Sequence, residues 1–246
     1  MSEGKDRILC YGARKIAYQL SIMPRKRLRL VVTPDMTVRA YAPEAFSEDE
    51  ILTAIQAKAQ WIARHLDAMK EFHPLPTPHR YLSGETFMYL GRQYRLRVDP
   101  GDPITAKLRG RFLHVAVADR TDAAAVRKSV DDWYRQRADE IFHRYLARCM
   151  QVASRHGVKE PTVTIRTMRT RWGSCSPSGR VTLNLNLIQT PVHCVEYVVM
   201  HELCHLVHLN HSKPFYRLLS RCMPDWERRR AILTQIAIAG HGALTL

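Results

Sequence analysis

Apolar and polar residues alternate with a period of two along Ala17–Ile22, Arg27–Thr33 and Thr37–Ala42, and Pro24 and Pro34–Asp35 separate these runs. The pattern predicts three short strands in a small antiparallel sheet. The period then changes to that of a helix. Ser47 and Glu50 have the spacing of a capping box, and Ile51, Ile55, Ala59, Ile62, Leu66 and Met69 recur on one face up to about Phe72. Three prolines between His73 and His79 end that helix and predict an extended linker. Four further strand-like runs follow, Phe87–Leu90, Gln93–Val98, Ile104–Leu108 and Phe112–Val117, broken by Gly91, by the DPGDP segment and by Gly110; they read as a meander.

From Asp122 to Arg155 the residues Val126, Val130, Trp133, Tyr134, Ile141, Tyr145, Leu146 and Met150 fall at helical intervals, so one long amphipathic helix is expected to stop at Gly157. Thr162–Met168 and Arg180–Ile188 read as strands joined by a turn-rich loop. A helix then starts at Thr190, the expected N-cap, with Pro191 at its first position, and carries Val195, Val198, Val199, Leu203 and Leu206. Helices over Lys213–Cys222 and Asp225–Ala239, the latter closed by Gly240, complete an α+β chain. The expected organisation is a β-rich N-terminal region with a helix over residues 1–120, and a second domain over 121–246. No internal repeat is evident.

Of the 246 residues, 46% are apolar and 25% charged, which is ordinary globular usage. No window approaches the ~18 uninterrupted apolar residues that would span a bilayer. The polar opening and six scattered cysteines without a CxxC pair predict a cytoplasmic chain with reduced thiols. The net charge of +15 is spread evenly, 20 basic against 13 acidic residues in 1–120 and 18 against 10 in 121–246. Such an excess suits a nucleic-acid partner, or simply a basic surface.

The chemistry concentrates in MHELCHLVHLNH. His201 and His205 are four apart, so on a helix both imidazoles leave the same face and can share one ion. Glu202 is the expected general base for water on that ion. With 12 His and 11 Glu, an HExxH would arise by chance in roughly 3% of such chains, and the placement on a helix directly after a strand adds weight. A catalytic zinc takes three protein ligands and leaves a fourth position open. His208 is about 10 Å along the axis from His201 on a continuing helix, so His211 is the expected third ligand, brought back after Asn210, whose side chain type tolerates left-handed backbone. Glu227 is the alternative ligand. Arg171 or the Gly173 backbone are candidates for contacting substrate or its oxyanion; a core role for Trp172 and local pairing of Arg171 is the competing reading. Asn184 lies on the polar face of the Arg180–Ile188 strand, whose edge is a candidate peptide-binding site. Cys204 is expected in the core.

The segments HELCHLVHLNHSKPFY, RTRWGSCS and VTLNLNLI, with ARKIAYQLSI, AQWIARHLDAM and GETFMYLGRQYRL further upstream, together resemble the YgjP-like metallopeptidase family over nearly the whole chain. That family is similar to small SprT-like zinc proteases, some of which act on DNA-crosslinked proteins. The resemblance implies a zincin-like domain, Zn²⁺, and peptide-bond hydrolysis of a protein or peptide substrate. Tyr216 stands where Trp is more usual after the last histidine, and it is a further candidate for contacting substrate or its oxyanion at the outer wall of the site. The alternative function is a basic nucleic-acid-associated module with a structural or silent zinc. The oligomeric state is not encoded in any of these features.

Overall fold

The computed structural model describes residues 5–33, 35–70, 79–101, 105–168 and 171–236. The expected linker over 73–78, the 102–104 turn and the closing turn at Gly240 lie outside them. The described residues form two compact units, within Met1–Pro76 and within Thr77–Ile236.

The first unit is a four-stranded sheet in the order β1-β2-β4-β3 with two helices. Its strands are β1 (Lys5–Tyr11), β2 (Arg14–Met23), β3 (Arg29–Val32) and β4 (Val38–Pro43). The polar opening thus contains a strand. β1 is an edge strand that buries only Leu9 fully, so its apolar signal is weak. A tight turn at Gly12, with φ +58°, joins it to β2. The sheet is mixed and not antiparallel throughout, because β2 pairs β4 in parallel. The helical stretch divides into α1 (Glu48–Gln56) and α2 (Ala59–Lys70). The Ser47–Glu50 capping box is present, with N–H to side-chain bonds of 2.8 and 3.2 Å. Lys58 tightens the break by donating to the Ile55 carbonyl, yet Ile51, Ile55, Ala59, Ile62 and Leu66 stay on one buried face against Ile16, Tyr18, Leu20, Ala40 and Ala42.

The second unit opens on the same topology. β5 (Thr86–Tyr89), β6 (Arg92–Pro100), β7 (Thr105–Arg109) and β8 (Phe112–Val117) lie in the order β5-β6-β8-β7, with β6 and β8 parallel. The expected meander is therefore a hairpin, a crossover and a second hairpin. These strands pack with the helix that follows, α3 (Ala123–Ala153). Asp122 caps α3 by accepting from the N–H groups of Ala124 and Ala125. Val126, Val130, Trp133, Tyr134, Ile141, Phe142 and Leu146 form its buried stripe.

A three-stranded sheet, β10-β11-β9, and three helices complete the unit: β9 (Thr162–Arg166), β10 (Gly173–Cys175), β11 (Arg180–Asn184), α4 (Val192–His205), α5 (Lys213–Cys222) and α6 (Trp226–Ile236). β11 is central, parallel to β9 and antiparallel to β10. The predicted strand to Ile188 stops at Asn184, whose side chain accepts from the Asn186 N–H and starts a 3-10 turn over Leu185–Gln189. An Asn at that point favours a cap over continued ladder. The class is α+β. No helix among the described residues is long and apolar enough to cross a membrane.

Candidate metal centre

α4 is buried on nearly every side: Cys194, Val195, Tyr197, Val198, Val199, Leu203 and Cys204 are all closed to solvent. A helix apolar all round belongs in a core, and this rigidity fixes the direction of its few polar side chains. Its N-terminus is fixed by the β5–β6 hairpin, where Leu90 and Gly91 donate to the carbonyls of Ile188 and Gln189. Gly91 has φ +77°, and a β-carbon there would meet Pro191 at 2.7 Å. Pro191 is the N-cap residue, one position later than expected, and Thr190 bonds back to the Leu187 carbonyl instead.

His201, Glu202 and His205 lie on the last turns of α4, all buried. The helix ends at His205, and the chain reverses over residues 206–212 without Asn210 entering the left-handed region. This early reversal returns His211 to the helix. The three Nε2 atoms converge, at 3.2 Å between His201 and His205, 3.1 Å between His205 and His211 and 2.9 Å between His211 and His201. They are the group of His, Cys, Asp and Glu ligand atoms placed to hold a metal among the described residues, and neither His208 nor Glu227 belongs to it.

The donor set fits zinc. The His205 Nδ1 donates to the His208 carbonyl at 2.9 Å, which leaves the lone pair on Nε2 facing the other two rings. Burial, and for His201 and His211 the neighbouring imidazoles, hold the three rings' proton affinity below that of a free histidine. Three lone pairs directed at one point repel unless a cation lies between them. A zinc–nitrogen bond of about 2.0–2.1 Å in a tetrahedron sets ligand nitrogens roughly 3.3 Å apart, close to the separations seen.

Glu202 is 2% exposed, and its Oε2 has no hydrogen-bond partner among the described residues. Burial pushes its carboxyl up to about 8, opposed by the positive charge of Arg171. Gly173, on β10, lies directly against the carboxylate. Arg171 is exposed, whereas Trp172 is buried. Asn184 is fully buried, and its amide is saturated: Nδ2 donates to the carbonyls of Met168 and Arg171, both at 2.8 Å, and Oδ1 accepts from Met168 and Asn186. It clamps both ends of the loop that leads into β10. Cys204 is in the core, as its azimuth on the helix predicts.

Two contributors escape a reading of the motif alone. Phe215 is fully buried and touches all three imidazoles, stacked on His205 at 4.5 Å and edge-on to His201 and His211 at 5.0 and 4.9 Å. Its position four residues after His211, on the apolar face of α5, was the available signal. The other is the His208 backbone carbonyl, which no side-chain pattern encodes. Tyr216 is stacked with both His211 and Trp226, with ring centroids 6.1 and 5.3 Å away.

A short mixed sheet beside a buried HExxH helix, with a third histidine returned from the next loop, defines the zincin-like class of metallopeptidase domains. The sequence matches the family model described as YgjP-like, metallopeptidase domain, over residues 26–236, and the chain belongs to that family. A search of curated proteins finds no match. Among solved structures, the metallopeptidase zymogen of Pyrococcus abyssi abylysin is 25% identical over 39% of this chain and 91% of that one, with a TM-score of 0.34.

Proposed function

We propose that the chain is a zinc-dependent peptidase in which His201, His205 and His211 hold the ion and Glu202 is the general base. The convergence of three imidazole nitrogens beside a buried carboxylate with an unengaged oxygen carries this reading. When bound, zinc polarises both a water and the scissile carbonyl. Glu202 accepts the water's proton on Oε2 and passes it to the leaving amide nitrogen. His208, through its carbonyl, keeps the His205 ring turned toward the ion. Three protein ligands leave one position for chemistry, whereas a structural zinc is closed by four.

Substrate binding is assigned to β10 in place of β11, because β11 is central in its sheet. The β10–β11 pairing directs the N–H and C=O groups of Ser174 toward β11, and those of Gly173 and Cys175 toward the free edge. An extended protein or peptide substrate can add there by main-chain bonds, next to Glu202. Arg171, two residues before β10, is the side chain we assign to the developing oxyanion, with Tyr216 as the outer wall of the site.

The test is metal removal. Protein stripped by a chelator should lose casein hydrolysis and regain it on adding about one zinc per chain; undiminished hydrolysis by the stripped protein contradicts the proposal.

A further inference from the structure

A second feature lies immediately outside the metal centre. Between α5 and α6 is a cavity of about 610 Å³ whose walls include Lys213, Tyr216, Arg217, Arg221, Trp226 and Glu227. The amphipathic pattern of α5 creates it. Phe215, Leu218, Leu219 and Cys222 go to the core, and Lys213, Arg217 and Arg221, spaced four apart, line up on the outer face.

Several arginines of the unit, among them Arg135, Arg137, Arg144 and Arg229, are held by neighbouring carboxylates. Among the described residues no carboxylate lies within ion-pair distance of Lys213, Arg217 or Arg221, although Glu227 shares the cavity. The aromatic wall is fixed in place. Trp226 is buried and donates from Nε1 to the Ser220 hydroxyl at 2.9 Å, and Tyr216 is stacked on it. Tyr216 is also stacked with His211. One aromatic ring therefore contacts both the cavity's Trp226 and a histidine of the three-imidazole cluster. An extended peptide advances ~3.3 Å per residue, so a chain crossing the metal centre would reach the cavity within a few residues of the bond cleaved.

We infer that this cavity is a substrate subsite for an acidic side chain, an aspartate or glutamate received by Arg217, Arg221 and Lys213 against the Tyr216–Trp226 wall. The inference deepens the peptidase reading and rests on it. Guanidinium groups bind carboxylates through paired, charge-assisted hydrogen bonds. A peptide is favoured over a nucleic acid because the three cations line a cavity that shares Tyr216 with the histidine cluster, where a peptide crossing that centre would pass, whereas an extended polyanion is bound along a continuous track.

The test compares two fluorescent peptides that differ only in a Glu-rich or Gln-rich flank, with binding to the zinc-loaded Glu202→Gln protein read by anisotropy. The same titration on metal-stripped wild-type protein guards against misfolding of that variant. Exposed ion pairs are each worth a few-fold, so the Glu peptide should bind about tenfold more tightly at low salt. The preference should shrink as salt rises and disappear in the Arg217→Gln/Arg221→Gln double variant. Equal binding of both peptides, binding of neither, or a preference that survives the double substitution overturns the subsite. So does single-stranded DNA that displaces both peptides alike and binds more tightly than the Glu peptide. Wild-type enzyme that cuts both peptides but prefers neither would sink the subsite alone. Wild-type enzyme that binds the Glu peptide selectively yet cuts nothing would sink the peptidase reading.

Discussion

Glu202 lies so close to Gly173 that a β-carbon at residue 173 would stand 2.5 Å from Oε1, 2.8 Å from Cγ and 2.9 Å from Cδ. Two of those contacts are with carbons of a fully packed side chain, so the carboxylate must move to admit any other residue. Glycine is required there for space. Displacing a catalytic group by about 1 Å can cost ~10²-fold in rate. Gly173→Ala is therefore expected to lower kcat by about that factor while zinc content stays near wild type. Hydrolysis rate and metal content, measured on the same preparation, check this; unchanged kcat would show that Glu202 tolerates the shift.

The third ligand is separable from its neighbours. His211 contributes Nε2 to the cluster, His208 contributes only a backbone carbonyl, and Glu227 belongs to the outer cavity. His211→Ala should come out of dialysis against a weak chelator without zinc, and His208→Ala and Glu227→Ala should keep it. Atomic emission on the three variants decides the matter. An empty Glu227→Ala beside a loaded His211→Ala would reassign the ligand.

Asn184 holds the carbonyls of Met168 and Arg171 from a fully buried position. Asn184→Ala leaves those groups without their donor, at a cost of about 2–4 kcal/mol. Thermal unfolding should begin at a clearly lower temperature than wild type. A Tm within error of wild type would mean that other groups satisfy the loop.

The cysteines should differ sharply in reactivity. Cys10 is exposed, whereas Cys149, Cys194, Cys204 and Cys222 are buried. Burial pushes the Cys149 and Cys194 thiols up to about 12 and the Cys175 thiol up to about 11. Little thiolate forms on them near neutral pH, and the thiolate is the nucleophile. A disulfide reagent at pH 8 should label Cys10 first, confirmed by its loss in Cys10→Ser, with the others released only on unfolding.

The convergence of His201 and His205 was legible because it depends on local spacing, four residues on one helix, whereas Phe215, which packs on all three imidazoles, was not singled out. The α+β class and the long α3 were equally plain from periodicity. What periodicity cannot carry is pairing order. β6 and β8 are parallel neighbours, and so are β2 and β4, yet each strand alone reads as an ordinary alternating run; the topology shared by the two sheets leaves almost no trace in residue identity. β1 was missed because an edge strand that buries Leu9 alone lacks the alternating signal. The β11 strand was read too far because Leu185 and Leu187 continue the alternation after the Asn184 cap has ended the ladder. The helix stop at His205 is marked by neither a glycine nor a left-handed residue, so the sequence carries no sign of it.

The central claim is that Glu202 moves the proton in a reaction performed at the three-histidine centre. Glu202→Gln keeps the shape of the side chain and removes its basicity, so zinc content and peptide hydrolysis measured together isolate that role. The variant should bind about one zinc per chain and lose at least ~10²-fold in kcat on a protein substrate, as removal of an acid–base group does. Full activity in the zinc-loaded variant would contradict the account.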